Sequence, residues 1–244
     1  MQAQTTSDMA ASPGNGFTAN TRLRPLTALR AARALIATGD TRQVFILLRA
    51  MRGRSGIRNF RRFAQTDAGR RVLSQKLDLL TLLQDREGLR RLPQGSVGRT
   101  YLDFMESEDL TAQALVAASQ DWDNDPVPPD MQRFRARMRE LHDVNHVITG
   151  YGRDPLGELC LLTFVYRQNG NLGMLMVVAM AWSRLPRAAR KAVREAWRLG
   201  GKAGWLPGQD WEALFSRPLE EVRQMLGIVA PVIYPPLAHL RPVP

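Results

Sequence analysis

The chain has 244 residues, of which 44% are hydrophobic, enough for one substantial core without requiring a second domain. A single cysteine, Cys160 in an apolar stretch, excludes a disulfide framework, suits a reducing compartment and reads as a small core residue. The formal net charge of +11 is concentrated at the start, where residues 1–62 hold eleven Arg against Asp8 and Asp40 and leave the remainder close to neutral.

Residues 1–21 are polar and rich in Ser, Thr, Asn and Gly, with no apolar run of the kind a secretory signal carries. They are expected to form a disordered tail ahead of one all-α domain over residues 22–244. Residues 25–37 place Leu26, Leu29, Ala32 and Leu35 at three-residue spacing, Gly39-Asp40 is a stop signal, and residues 41–51 follow as a second helix. Within that second segment Val44-Phe45-Ile46-Leu47-Leu48 lies between Arg42 and Arg49, a pattern that could rest on an anionic membrane surface. Nucleic acid is the weaker reading of the charge. The chain has neither zinc-finger spacing nor an RNP-like motif, and only 7% aromatic residues. Only three of its 34 basic residues are Lys, so a preference for Arg, and a solvated Arg face, account for part of the balance.

Residues 67–83 read as one amphipathic stretch, residues 93–98 break the pattern, and residues 97–105 form a short helix. Residues 123–129, with three prolines, form a rigid connector before a long helix. The longest strongly apolar run, residues 172–182, is eleven residues, against the roughly 20 needed to span a bilayer. Its methionines could line a lipid pocket, but by periodicity it reads as core.

Two of the three histidines fall in His142-Asp143-Val144-Asn145-His146, and eleven residues separate His146 from Glu158. Positions four apart on a helix lie one above the other, so His142 and His146 can face one cation. Asp143 flanks them and could ligate or hold a ligand imidazole. Thr149-Gly150-Tyr151-Gly152-Arg153 supplies a chain reversal, and Asp154 as N-cap with Pro155 in first helical position puts Glu158 in the opening turn of the next helix. Imidazole and carboxylate donors suit zinc, iron, manganese or cobalt, zinc foremost. A metallopeptidase is discounted, because Asp143 stands where that helix needs its glutamate base. The plain alternative is a pair of capping histidines bonded to Asp143.

The pattern His-Asp-x-x-His-x11-Glu resembles the hallmark of the Coq-four family of ubiquinone (coenzyme Q) biosynthesis proteins, matched through His142, Asp143, His146 and Glu158. The segments Leu92-Pro93-Gln94-Gly95-Ser96-Val97-Gly98-Arg99-Thr100-Tyr101, Ala196-Trp197-Arg198-Leu199-Gly200, Asp210-Trp211-Glu212 and Pro218-Leu219-Glu220-Glu221-Val222-Arg223 are similar to that family as well, so the resemblance covers residues 40–230. It departs at the Arg-rich start and at Val144-Asn145, where many relatives place bulkier apolar or aromatic residues.

The resemblance implies an all-helical fold with a helix-turn-helix metal site and an apolar channel for a polyprenylated aromatic substrate. Residues Leu161, Phe164, Leu172 and Met176 are the expected lipid contacts; Arg139, one helical turn from the cluster, is either the partner of a substrate carboxylate or a solvated helix charge. It implies metal-dependent C1 decarboxylation and hydroxylation of a polyprenylated hydroxybenzoate, with His142, Asp143 and Arg139 as catalytic residues. The alternatives are a non-catalytic prenyl-lipid-binding scaffold for other ubiquinone-biosynthesis enzymes and a hydrolase using zinc-bound water. The expected location is cytoplasmic and peripheral on the inner membrane, or the matrix side in a mitochondrion, and a homodimer is allowed.

Overall fold

The structure is a computed structural model that describes residues 21–40, 42–110 and 126–234. The predicted tail, apart from Thr21, and Thr41 and residues 123–125 of the predicted connector lie outside the described residues. Among the described residues there are thirteen α-helices and no strand, as the all-α reading requires.

Helices α1 (Pro25–Thr38) and α2 (Arg42–Ala50) form an antiparallel pair separated by Gly39, whose φ of 68° ends α1 in the left-handed conformation that glycine tolerates. Within the apolar segment of α2, Leu47 is fully buried with Ala31 and Ala32 beside Met176, Val177 and Met180, while Val44, Phe45, Ile46 and Leu48 are half-buried. Helix α3 (Ser55–Ala64) was not anticipated. The stretch read as one amphipathic segment is two helices, α4 (Asp67–Ser74) and α5 (Leu79–Gln84). Lys76 at φ 53° interrupts the helical path, and Asp78 restarts it by accepting the Leu80 N–H.

Short α6 (Arg86–Arg91) leads to α7 (Val97–Ser107), capped by the Ser96 hydroxyl. A Cβ at Gly98 would fall 2.5 Å from Leu92 and 2.9 Å from Phe215 side-chain carbons, so the glycine admits the carboxyl-terminal segment. Val97 and Gly98 donate to the Arg217 and Phe215 carbonyls, which sets the register of α7.

Four further helices follow: α8 (Pro129–Thr149), α9 (Pro155–Asn169), α10 (Leu172–Trp182) and α11 (Arg187–Lys202). Helices α9 and α11 meet at backbone distance, since a Cβ on Gly200 would sit 2.5 Å from the Phe164 carbonyl oxygen. Cys160 is fully buried on α9, and burial pushes its thiol up to about 12, as expected of a core residue. Apolar α10 is not the plain core element its composition suggests, because only Gly173 and Val178 are buried and Leu172 is exposed. The chain closes with α12 (Trp211–Leu214) and α13 (Leu219–Met225). Arg137, 2% exposed on α8, forms a two-pronged ion pair with Glu212 at 2.6 and 2.9 Å, and Arg71 bonds Asp210. Those pairs tie the carboxyl-terminal elements to α8 and α4.

Candidate metal centre

Helix α8 ends as its sequence dictates: Gly150 takes φ 78°, and its N–H bonds the His146 carbonyl. Asp154 then caps α9 by accepting from the Leu156 and Gly157 N–H groups at 3.1 and 3.2 Å. The turn between them lays the first turn of α9 beside the last two turns of α8. Glu158 thereby meets both imidazoles, its oxygens 3.6 Å from His142 Nε2 and 3.5 Å from His146 Nε2. Four ligands held tetrahedrally about 2.1 Å from one cation lie about 3.4 Å apart, so the spacing suits a shared ion.

His146 is 1% exposed, and its ring is stacked 5.8 Å from Phe104 of α7. Its Nδ1 donates to the Tyr151 carbonyl at 2.9 Å, which leaves the lone pair on Nε2. That Nε2 is buried without a hydrogen-bond partner. A nitrogen committed on one side and unsatisfied on the other is the arrangement of a metal-binding histidine.

His142 is part-exposed and contacts Asp143 Oδ1 through Nδ1 at 3.1 Å, so Asp143 holds the imidazole from behind while Nε2 turns to Glu158. Burial opposes charge on His142, but Asp143 and Glu158 outweigh it and lift the imidazole to about 9. Burial likewise opposes charge on Glu158, and the neighbouring His142 imidazole more than compensates, holding its carboxyl well below the usual carboxylate range. Arg153 Nε is 3.8 Å from the same carboxylate. One ligand atom each from His142, Asp143 and His146 lies within 4.8 Å of the others. These three side chains could hold a metal ion, and Glu158 stands beside both imidazoles.

A cavity of about 270 Å³ opens from this cluster. Glu158, Leu161, Leu162, Val165 and Asn169 line it at three- and four-residue spacing, so it follows one face of α9 for about 16 Å at 1.5 Å per residue. Arg139, Asn145 and Met138 of α8 face it, as do Leu48 of α2 and Gly56 of α3. Of the predicted lipid contacts, Leu161 is in the wall. Phe164 is buried against α11, Met176 packs on the Ala31–Leu47 cluster, and Leu172 is exposed, none of them in the wall. Period-3.6 spacing names a face of α9 but not which neighbour covers it, and the cover from α2 and α3 carried no local signal.

A family model described as coenzyme Q (ubiquinone) biosynthesis protein Coq4 matches residues 19–232. Among curated proteins, the chain is 29% identical over 175 residues to a mitochondrial ubiquinone biosynthesis protein COQ4 homolog of Culex quinquefasciatus, covering 71% of this chain and 62% of that one. It is 31% identical over 168 residues to the mitochondrial COQ4 protein of Ajellomyces capsulatus, covering 67% and 59%. The chain thus spans about three fifths of the length of the curated relatives it matches. A crystal structure of a Nostoc punctiforme PCC 73102 protein superposes with a TM-score of 0.62 at 21% identity, over 84% of this chain and 99% of that one, a likeness of fold.

Proposed function

The chain belongs to the Coq4 family of coenzyme Q (ubiquinone) biosynthesis proteins, and on that premise we propose that it is a metal-dependent enzyme acting on the ring of a polyprenylated hydroxybenzoate. The reaction would break the bond from C1 to the carboxyl carbon, releasing carbon dioxide, and form a C1–hydroxyl bond in its place; this is a two-electron oxidation, balanced by reduction of one dioxygen to hydrogen peroxide with one water consumed. The observation that carries this reading is the partnerless Nε2 of His146, facing Glu158 beside His142 at the head of an apolar-walled cavity.

His142, His146 and Glu158 would hold the cation, zinc first and iron, manganese or cobalt as alternatives. When bound, such an ion supplies Lewis-acid stabilisation of charge developing on a substrate oxygen. Asp143 keeps the His142 imidazole oriented, and Phe104 covers His146. Arg139 lines the cavity with the cluster, where its guanidinium suits the substrate carboxylate. Leu161, Leu162 and Val165 offer an apolar wall to the first units of the tail. The test is turnover of a prenylated hydroxybenzoate by native protein and by Glu158→Gln. Loss of carbon dioxide release and bound metal together supports the reading, whereas full turnover in the variant refutes it.

A second reading, a prenyl-lipid-binding scaffold for other ubiquinone-biosynthesis enzymes, is favoured by α10. An uncharged helix with only two buried residues, followed by Arg184, Arg187 and Arg190, suits an anionic membrane surface. No helix among the described residues is long and apolar enough to cross a membrane, so the association would be peripheral, on the inner membrane. In this reading Glu158→Gln leaves partner capture intact.

A further inference from the structure

The turn between α8 and α9 is also held from outside those helices, by the end of the described chain. Tyr234 donates its hydroxyl proton to the Asp154 carboxylate and accepts from the Gly152 N–H at 3.1 Å. Its ring stands edge-on to Tyr151, with centroids 5.4 Å apart. Just upstream, the Val232 and Ile233 N–H groups donate to the two oxygens of buried Glu195 on α11, at 3.3 and 3.0 Å. The strap is therefore tied at two places, one on α11 and one on the turn.

Two glycines make room for the hydroxyl. A Cβ at Gly157 would lie 2.7 Å from the Tyr234 oxygen and 2.1 Å from the Gly152 carbonyl oxygen, and one at Gly152 would lie 2.9 Å from the same hydroxyl. The atoms that Tyr234 fixes lead to the ligands. Asp154 uses its other oxygen to cap the helix that carries Glu158. Between Gly150 and Gly152 sits Tyr151, whose carbonyl accepts the His146 Nδ1–H and so determines which nitrogen keeps a lone pair. Arg223 also donates to the Val147 and Ile148 carbonyls at 2.9 Å, which steadies the end of α8.

We propose that Tyr234 is a positioning residue of the metal centre: its hydroxyl locks the residue 151–154 backbone, and that backbone sets the His146 tautomer and the placement of Glu158. Tyr234 touches neither cluster nor cavity. A hydroxyl–carboxylate bond is charge-assisted, and the Tyr234 ring is 8% exposed, so water competes poorly for it. The proposal rests on the metal-centre reading above.

The experiment compares native protein with Tyr234→Phe and Glu195→Gln by two readouts: zinc affinity by chelator competition, and the ¹⁵N spectrum of the His146 imidazole in metal-free protein. Partners that orient a ligand typically contribute 10- to 100-fold in metal affinity, so Tyr234→Phe should weaken zinc about tenfold and mix the His146 tautomers. Glu195→Gln, which loosens the strap at its far tie, should shift both readouts the same way and less. Unchanged zinc affinity and an unchanged tautomer in folded Tyr234→Phe overturn the proposal. If Tyr234→Phe does not fold, Glu195→Gln decides, a shift supporting the proposal and its absence overturning it. A native chain that takes no zinc overturns the metal reading instead, and the tautomer comparison then decides the role of Tyr234.

Discussion

Replacing His146 by leucine separates what the residue contributes as packing from what it contributes as a ligand. The ring is buried against Phe104, one nitrogen is bonded to Tyr151 and the other has no partner. Leucine keeps apolar bulk beside Phe104 and removes the unsatisfied Nε2, but leaves the Tyr151 carbonyl without its donor. A buried polar group lacking its partner costs about 1–3 kcal/mol. One such group is lost and one created, so metal-free His146→Leu should unfold within about 2 kcal/mol of native protein. Metal changes the comparison. An ion that binds only the folded state adds about 2.7 kcal/mol at 100 times its Kd. At about 2–4 °C per kcal/mol for a chain of this length, native Tm should rise by about 5–11 °C with zinc over EDTA, and the variant's should not. Scanning calorimetry in zinc and in EDTA reads the difference. An equal rise in both proteins refutes His146 as a ligand.

Glu140 is 7% exposed, and burial, then the Asp78 carboxylate, push it up to about 7 against the opposing charges of Arg139 and Arg137. Its folded value lies above the ordinary carboxyl value of 4.5, so the cost of ionising it in the fold is absent below about 4.5 and grows as pH rises to about 7. Glu140→Gln should be more stable than native by about 2 kcal/mol at pH 8, allowing for partial solvent screening, and the gain should shrink towards pH 5 in urea unfolding; a gain independent of pH contradicts this. Gly200→Ala improves helix propensity by about 1 kcal/mol yet drives a Cβ into the Phe164 backbone, so a net loss of about 2 kcal/mol is expected. A urea midpoint at or above native would show that α9 and α11 can separate freely.

What was legible in the sequence was local. The pairing of His142 with His146, the left-handed Gly150, the Asp154 cap and the Glu158 position all follow from contacts within four residues, and together they build the cluster. The break at Lys76 was less legible, because an apolar periodicity continues through residues 67–83 and only the Asp78 cap marks the new start. The cavity wall was legible in Leu161 but not in Leu48 or Gly56, which reach it from α2 and α3 through tertiary packing. Phe164 shares a helix with Leu161 yet faces α11, where Gly200 lets the backbones meet. Tyr234 lies 80 positions from Asp154, a separation at which no spacing rule operates. Glu212 stands in one of the segments that carry the resemblance, and only the fold shows that it is the ion-pair partner of Arg137, 75 positions away.

Metal content is the most direct measure of the site. Protein purified without a metal-affinity tag should carry close to one equivalent of zinc, iron, manganese or cobalt by mass spectrometry, and the His142→Ala, His146→Ala double variant should carry none. Equal metal in both proteins, or none in the native chain even after re-addition, would contradict the metal-centre reading.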